Sequence, residues 1–338
     1  MKLLSILAAF AAFAAFAAFA AFAAAARAAP LAAAPLEVEA KIPLGDVRGR
    51  IDHLAVDLNR QRLYVAELGN DTIGVIDLPG RRVLQTLTGL KQPQGIGYEP
   101  STDTVVVANA RDGSVRLFHG SDLTPVGQIE LGDDADNVRI EGSTHQVWVG
   151  YADGALAIID PGARRRIADI PLHAHPESFR LDGAGPQIYV NVPDAHEIAV
   201  VDRTARKQIA SWKTGNLAAN FPLALDDADR ILTVFRHPAR LAEFRKQDGA
   251  LLQATETCGD SDDLFVDARR HRVYVICGEG FVEVFGRDAG RYRSMGRLAT
   301  SSGARTALFV PELDRLFVAA RATGAAPAAV WVIRPTER

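Results

Sequence analysis

From residue 36 onward the chain alternates short apolar runs with polar turn segments at a nearly constant interval. The runs are Leu63-Tyr64-Val65, Val105-Val106-Val107, Val147-Trp148-Val149, Ile188-Tyr189-Val190, Leu232-Thr233-Val234, Val273-Tyr274-Val275 and Leu316-Phe317-Val318, and their centres are 42, 42, 41, 44, 41 and 43 residues apart. Such a period marks a repeat architecture in which each unit is one supersecondary element. Seven residues before the first six centres stands an acid, Asp57, Glu99, Glu141, Asp182, Asp226 and Asp267, with Val310 in the seventh unit. Between acid and centre lie turn formers such as Asn59, Ser101-Thr102-Asp103 and Gly183-Ala184-Gly185, so each acid is expected to cap the turn of a hairpin. A third run follows every centre, as in Thr72 to Asp77, Ala155 to Asp160 and Glu197 to Asp202, and then a fourth, as in Arg82 to Leu87.

Four strands repeated seven times predict an all-β, seven-bladed β-propeller, each small sheet covered by its neighbours. The last unit ends at its third strand, Trp331-Val332-Ile333, with only Arg334 to Arg338 beyond. Upstream, Leu36-Glu37-Val38-Glu39-Ala40-Lys41-Ile42 alternates apolar and polar residues as a half-buried strand does. This N-terminal strand is therefore expected to complete the last blade and close the ring.

The first residues have a different character. Met1-Lys2 precedes an uncharged stretch from Leu3 to Ala26 built on Ala-Ala-Phe triplets, and Ala26-Arg27-Ala28 offers small residues for cleavage. Residues 1–28 read as a secretory signal peptide, 29–35 as a linker and 36–338 as one propeller domain. Left uncleaved, the apolar stretch is long enough to anchor the chain, the one expected membrane contact. The protein is placed in the periplasm or outside the cell. Of 338 residues 48% are hydrophobic and 23% charged, and the formal net charge is -3, so the positive field that draws phosphate backbones is missing and nucleic acid is not an expected partner. Cys258 and Cys277 are the two cysteines. In an oxidising compartment they are expected to form a disulfide, with a soft-metal site as the alternative.

The triplets Tyr64-Val65-Ala66, Tyr189-Val190-Asn191 and Tyr274-Val275-Ile276, with strand ends Ile76-Asp77 and Val201-Asp202, resemble the YVTN-repeat propellers, the YncE-like family, over roughly residues 36 to 334. The resemblance implies an exported or surface propeller. The WD type would require Trp-Asp pairs, which are absent, and quinoprotein propellers carry a tryptophan in most blades where this chain has three in all.

The repeat register also collects candidate chemistry. Twelve residues before the centres stand Asp52, Gln94, Asp136, Glu177, Phe221, Asp262 and Arg305, and eleven before stand His53, Gly95, Asn137, Ser178, Pro222, Asp263 and Thr306. Fourteen before, Arg50, Gln92, Asp134, His175 and Asp260 recur. These positions begin the innermost strands, so the ring should gather them at one mouth of the channel. The expected ligand-binding set is Arg50, Asp52, His53, Gln94, Asp136, Asn137, His175, Glu177, Asn220, Asp262, Asp263 and Arg305. Four acids held close raise one another's pKa unless a cation sits among them. Asp52, His53, Asp136, Glu177 and Asp262 would suit a divalent cation such as Ca²⁺, Mn²⁺ or Zn²⁺. Two functions follow: a monomeric, non-catalytic propeller taking a small molecule, metal or protein partner at this mouth, or a metal-dependent lactonase-type hydrolase or lyase. No Gly-x-Ser-x-Gly, His-Glu-x-x-His or P-loop is present, and no Cys-x-x-Cys-His marks a haem.

Overall fold

The computed structural model describes residues 34–226 and 229–337. The signal-peptide expectation on 1–28 lies outside the described residues, as does most of the linker.

Seven four-stranded antiparallel sheets form the described chain, and their strands run in sequence order from the inner to the outer edge. Blade 1 comprises Leu54–Asp57, Arg62–Glu67, Thr72–Asp77 and Arg82–Leu87. The inner strands of blades 2 to 7 are Pro93–Glu99, Val138–Ile140, Phe179–Leu181, Ala218–Asp226, Ser261–Asp267 and Thr306–Val310. In blade 7 the outermost strand is Leu36–Pro43, paired antiparallel with Ala329–Pro335 so that Leu36 faces Pro335 and Ile42 faces Val330. The first and last strands thus lie in one sheet, and opening the ring requires breaking that pairing. Leu36 and Ile42 are buried against blade 7 and its neighbours.

Burial follows position in the blade. The second strands lie between neighbouring sheets on both faces, which is why Leu63-Tyr64-Val65 and its six equivalents read as continuous apolar runs. The fourth strands form the outer rim and alternate, as Lys207–Lys213 does between exposed and half-buried positions. The core is a ring of clusters spanning adjacent blades. In one, Tyr64, Ile73 and Val75 of blade 1 pack on Ile96, Val105, Val107 and Phe118 of blade 2. Each such side chain contributes about 1.5–3 kcal/mol when fully buried.

The recurring acids cap their turns in four blades and join blades as well. Asp57 accepts the Arg60 backbone N–H at 3.0 Å, and the Arg60 side chain extends to both carboxylate oxygens of Asp103 in blade 2 at 2.7 and 2.8 Å. Blade 6 repeats the device: Asp267 accepts the Arg270 N–H at 3.1 Å, and Arg270 grips Asp314 of blade 7 at 2.6 and 2.8 Å. Glu99 accepts the Ser101 and Thr102 N–H groups; burial alone would raise its pKa, but these hydrogen bonds hold it at about 2. Asp182 caps Ala184. In blades 3 and 5 the acid bonds elsewhere, Glu141 to Trp148 Nε1 and Arg203, and Asp226 to the Tyr292 hydroxyl of blade 6.

Cys258 and Cys277 are joined by a disulfide. It ties the segment after blade 5's outer strand, Leu251–Glu256, to the end of blade 6's second strand, Arg272–Cys277. Among the described residues no helix is long and apolar enough to cross a membrane.

Candidate functional site

The start of the inner strand is distorted in the same way in six of the seven blades. In blade 1 the Asp52 N–H donates to the Ala66 carbonyl at 2.7 Å and the Ala66 N–H donates to the His53 carbonyl at 3.0 Å, so two residues face one. Asp136 and Asn137 sit opposite Gly150, and Glu177 and Ser178 opposite Asn191, in the same manner. Register shifts fall at the corresponding points of blades 2, 5 and 6, between Pro93 and Ile96, Asn220 and Leu223, and Ser261 and Asp263. Such a bulge re-aims side chains at the end of a strand. Here it turns Asp52, Asp136, Glu177 and Asp262 toward the channel.

Neighbouring blades are also bonded at this level. The His53 N–H donates to the Gln94 carbonyl at 3.3 Å, and the Ser178 N–H to the Phe221 carbonyl at 3.3 Å. Blade 2 approaches blade 3 more closely still. A Cβ on Gly95 would sit 1.8 Å from the Asp136 carbonyl oxygen, so only glycine permits this contact.

The mouth encloses a cavity of about 430 Å³. Ten of the twelve expected residues line it: Arg50, Asp52, His53, Gln94, Asp136, Asn137, His175, Glu177, Asp262 and Arg305. Two do not. Asn220 is fully buried in the body of blade 5, where its amide donates to Asn191 Oδ1 at 3.0 Å and to the Glu197 carbonyl at 3.1 Å. The bulge puts Phe221 in the wall in its place. Asp263 lies beyond the mouth, where its Oδ2 accepts the Ala307 N–H at 2.8 Å and faces His53 Nδ1 at 3.8 Å.

Sequence reasoning missed Arg236, three residues past the centre of blade 5's second strand, which enters the wall and bonds Asp262. Its guanidinium lies over the Phe221 ring, 3.8 Å from the centroid. The signal was faint: arginine there in one repeat, where the other units carry Glu67, Asn109, Tyr151, Val192, Cys277 and Ala320.

Guanidiniums and an imidazole neutralise most of the acidic ring. Arg50 pairs with Asp52 at 2.8 Å, and Arg305 with Asp262 at 2.7 Å and Asp260 at 2.9 Å. His53 Nε2 lies 3.8 Å from Asp52 and 3.9 Å from Asp136. Burial opposes charge on His53, but Asp263, Asp52 and Asp136 outweigh it and push its pKa up to about 9. His175 donates from Nδ1 to the Ala152 carbonyl at 2.6 Å, which fixes its ring at the lip. Asp136 is 6% exposed and its Oδ1 has no hydrogen-bond partner among the described residues. Burial raises it to about 6 against the pull of His53. Burial likewise lifts Asp262 to about 6 despite Arg236 and Arg305, and holds Glu177 well above the carboxylate range, helped by Asp136 and Asp262.

The expected divalent-cation site does not fit this arrangement. Among the described residues no group of three or more His, Cys, Asp or Glu side chains is disposed to hold a metal ion. Asp52 pairs with Arg50 and Asp262 with Arg305, while Asp263, Asp52 and Asp136 favour the protonated form of His53. Asp52, His53, Asp136, Glu177 and Asp262 are therefore brought together, but as members of a mixed-charge wall.

Fold and site together define a seven-bladed propeller with a polar, charge-balanced pocket at one end of its channel. No family model matches the sequence, and no curated protein matches it. Among solved structures, a chain described as Kuenenia stuttgartiensis hydrazine synthase is similar to this one, with a TM-score of 0.63 over 81% of this chain and 93% of that chain at 13% identity. That similarity concerns the fold alone.

Proposed function

We propose that this protein is an exported propeller of the YVTN-repeat type that binds one small, strongly hydrogen-bonding molecule at the channel mouth without transforming it. The observation that carries the reading is Asp136: a buried carboxylate in the wall of a cavity of about 430 Å³, whose Oδ1 has no hydrogen-bond partner among the described residues and faces His53 Nε2 only at 3.9 Å. An acceptor left without a partner out of water is unfavourable by about 1–3 kcal/mol, which a ligand donor recovers on binding. Fixed donors stand opposite, on Arg50, Arg236, Arg305 and His53, so the pocket suits a molecule with both donors and acceptors, such as a polyol or a zwitterion. Among the described residues no group of three or more His, Cys, Asp or Glu side chains is disposed to hold a metal ion, which favours binding over the metal-dependent ring-opening alternative. Export is supported by the leader pattern of residues 1–28 and by the Cys258–Cys277 disulfide, which suits an oxidising compartment.

A thermal-shift screen of polyols, amino acids and betaines against the mature protein, followed by titration calorimetry, tests the reading. Asp136→Ala and Glu177→Gln should weaken the best ligand at least about tenfold, the order expected when a buried hydrogen bond is lost. Binding that both changes leave intact would place the ligand elsewhere, and a screen without any stabiliser would remove the proposal.

A further inference from the structure

The inner strands continue past the His53 layer, and the channel holds a second cavity of about 310 Å³ there. His53 contributes to the walls of both cavities. The two differ in character. Nine residues before the repeat centres, the inner strands place Ala55, Gly97, Ala224, Phe265 and Leu308 in blades 1, 2, 5, 6 and 7, but Arg139 and Arg180 in the adjacent blades 3 and 4. Both arginines line this second cavity, among Leu54, Ile96, Ile140 and Leu308.

These two half-buried guanidiniums lack a charged partner. Among the described residues neither pairs with a carboxylate within 4.0 Å. Arg139 donates only to neutral groups: the Phe179 carbonyl at 3.1 Å, the Val138 carbonyl at 2.8 Å, Asn137 Oδ1 at 3.1 Å and Ser178 Oγ at 3.2 Å. Arg180 uses Nη1 alone, toward Ser178 Oγ and the Phe179 carbonyl, and its Nε and Nη2 make no hydrogen bond among the described residues. Burial and the Arg180 charge lower Arg139 to about 9, and burial lowers Arg180. Asp263 is the acid whose charge reaches both, and it is already engaged by Ala307 N–H and His53.

These side-by-side, half-buried guanidiniums have no carboxylate within 4.0 Å, so an anion entering the cavity would complete them, and a planar fork matches a carboxylate. We propose that this second cavity binds a small organic carboxylate bearing an apolar group, with Arg139 and Arg180 holding the carboxylate and the apolar inner-strand residues enclosing the rest. The site adjoins the pocket at the mouth and shares His53 with it, but its two arginines are not part of that pocket's wall.

Titration calorimetry of the mature protein with benzoate, acetate and benzamide tests this. Benzoate should bind; acetate, without the ring, and benzamide, without the charge, should each bind at least about tenfold more weakly, the scale of a charge-assisted hydrogen bond or of a buried ring. Arg180→Met should weaken benzoate by a similar factor without lowering the melting temperature of the free protein, because the charge it removes is paired with no carboxylate among the described residues. Arg139→Met gives the same comparison should one variant fail to fold. Equal binding of benzoate and benzamide, no benzoate binding at millimolar concentration, or benzoate binding that survives both arginine changes overturns the proposal. A crystal soaked in 4-iodobenzoate must show iodine in this cavity; iodine only at the mouth also overturns it.

Discussion

Replacing Asp136 with asparagine separates the stability of this propeller from its binding. The carboxyl is raised from 3.8 to about 6 because burial disfavours its charge. Two pKa units correspond to about 3 kcal/mol of preference for the neutral form. The sign follows from the raised value. Below pH about 4 the group is protonated in both folded and unfolded chains and has no effect. As pH rises through 4 to 6 the unfolded chain releases its proton first, so stability falls, and above 6 the full penalty of about 3 kcal/mol remains. Asparagine is neutral throughout and keeps nearly the same shape. Asp136→Asn should therefore match wild type below pH 4 and exceed it by up to about 3 kcal/mol at pH 7. In a domain of this size that is several degrees in melting temperature. Urea denaturation of both proteins between pH 4 and 8 reads the difference directly. A variant less stable than wild type at pH 7, or a gap of equal size at pH 4 and pH 7, would show that Asp136 is not a strained buried carboxylate. The argument for a ligand at the mouth would then lose its basis.

Gly95→Ala drives a Cβ into the Asp136 carbonyl oxygen; it should be destabilised by about 1–3 kcal/mol or more and lose affinity at the mouth, by chemical denaturation and calorimetry. Arg270→Met leaves Asp267 buried and unpaired between blades 6 and 7, and a loss of about 3–5 kcal/mol is expected in the same denaturation assay. Removing the disulfide with Cys258→Ser and Cys277→Ser frees a loop with ends 19 residues apart, worth about 3 kcal/mol, and the oxidised wild type treated with reductant should show the same drop.

The repeat period, the seven units, the strand order within them and the closing role of residues 36–42 were legible in the amino-acid sequence. Each blade is a local hairpin series, so its alternation of apolar runs and turns is written in adjacent residues. The acids before the centres were also readable as turn caps, since a capping side chain bonds backbone two or three residues away. Their second role, exemplified by Arg60 bridging Asp57 and Asp103, depends on a partner 43 residues distant.

At the mouth the balance shifts. Equivalence in the repeat brought ten of the expected residues to one wall, because sevenfold stacking maps equal register onto equal height. It could not say which side chain of each pair faces the channel. One extra residue in the strand at Asn220–Leu223 sends Asn220 into the blade and Phe221 into the cavity, and moving one place along blade 6 carries Asp263 from the mouth to the chamber beyond it. Nor could periodicity show that Arg236, a single departure from its repeat position, would neutralise Asp262, or that Arg139 and Arg180 would stand side by side without a counterion. Blade number and closure follow from short-range pattern; charge pairing and burial arise only when strands far apart in the chain are packed within a few ångströms, where a one-residue shift changes which groups meet.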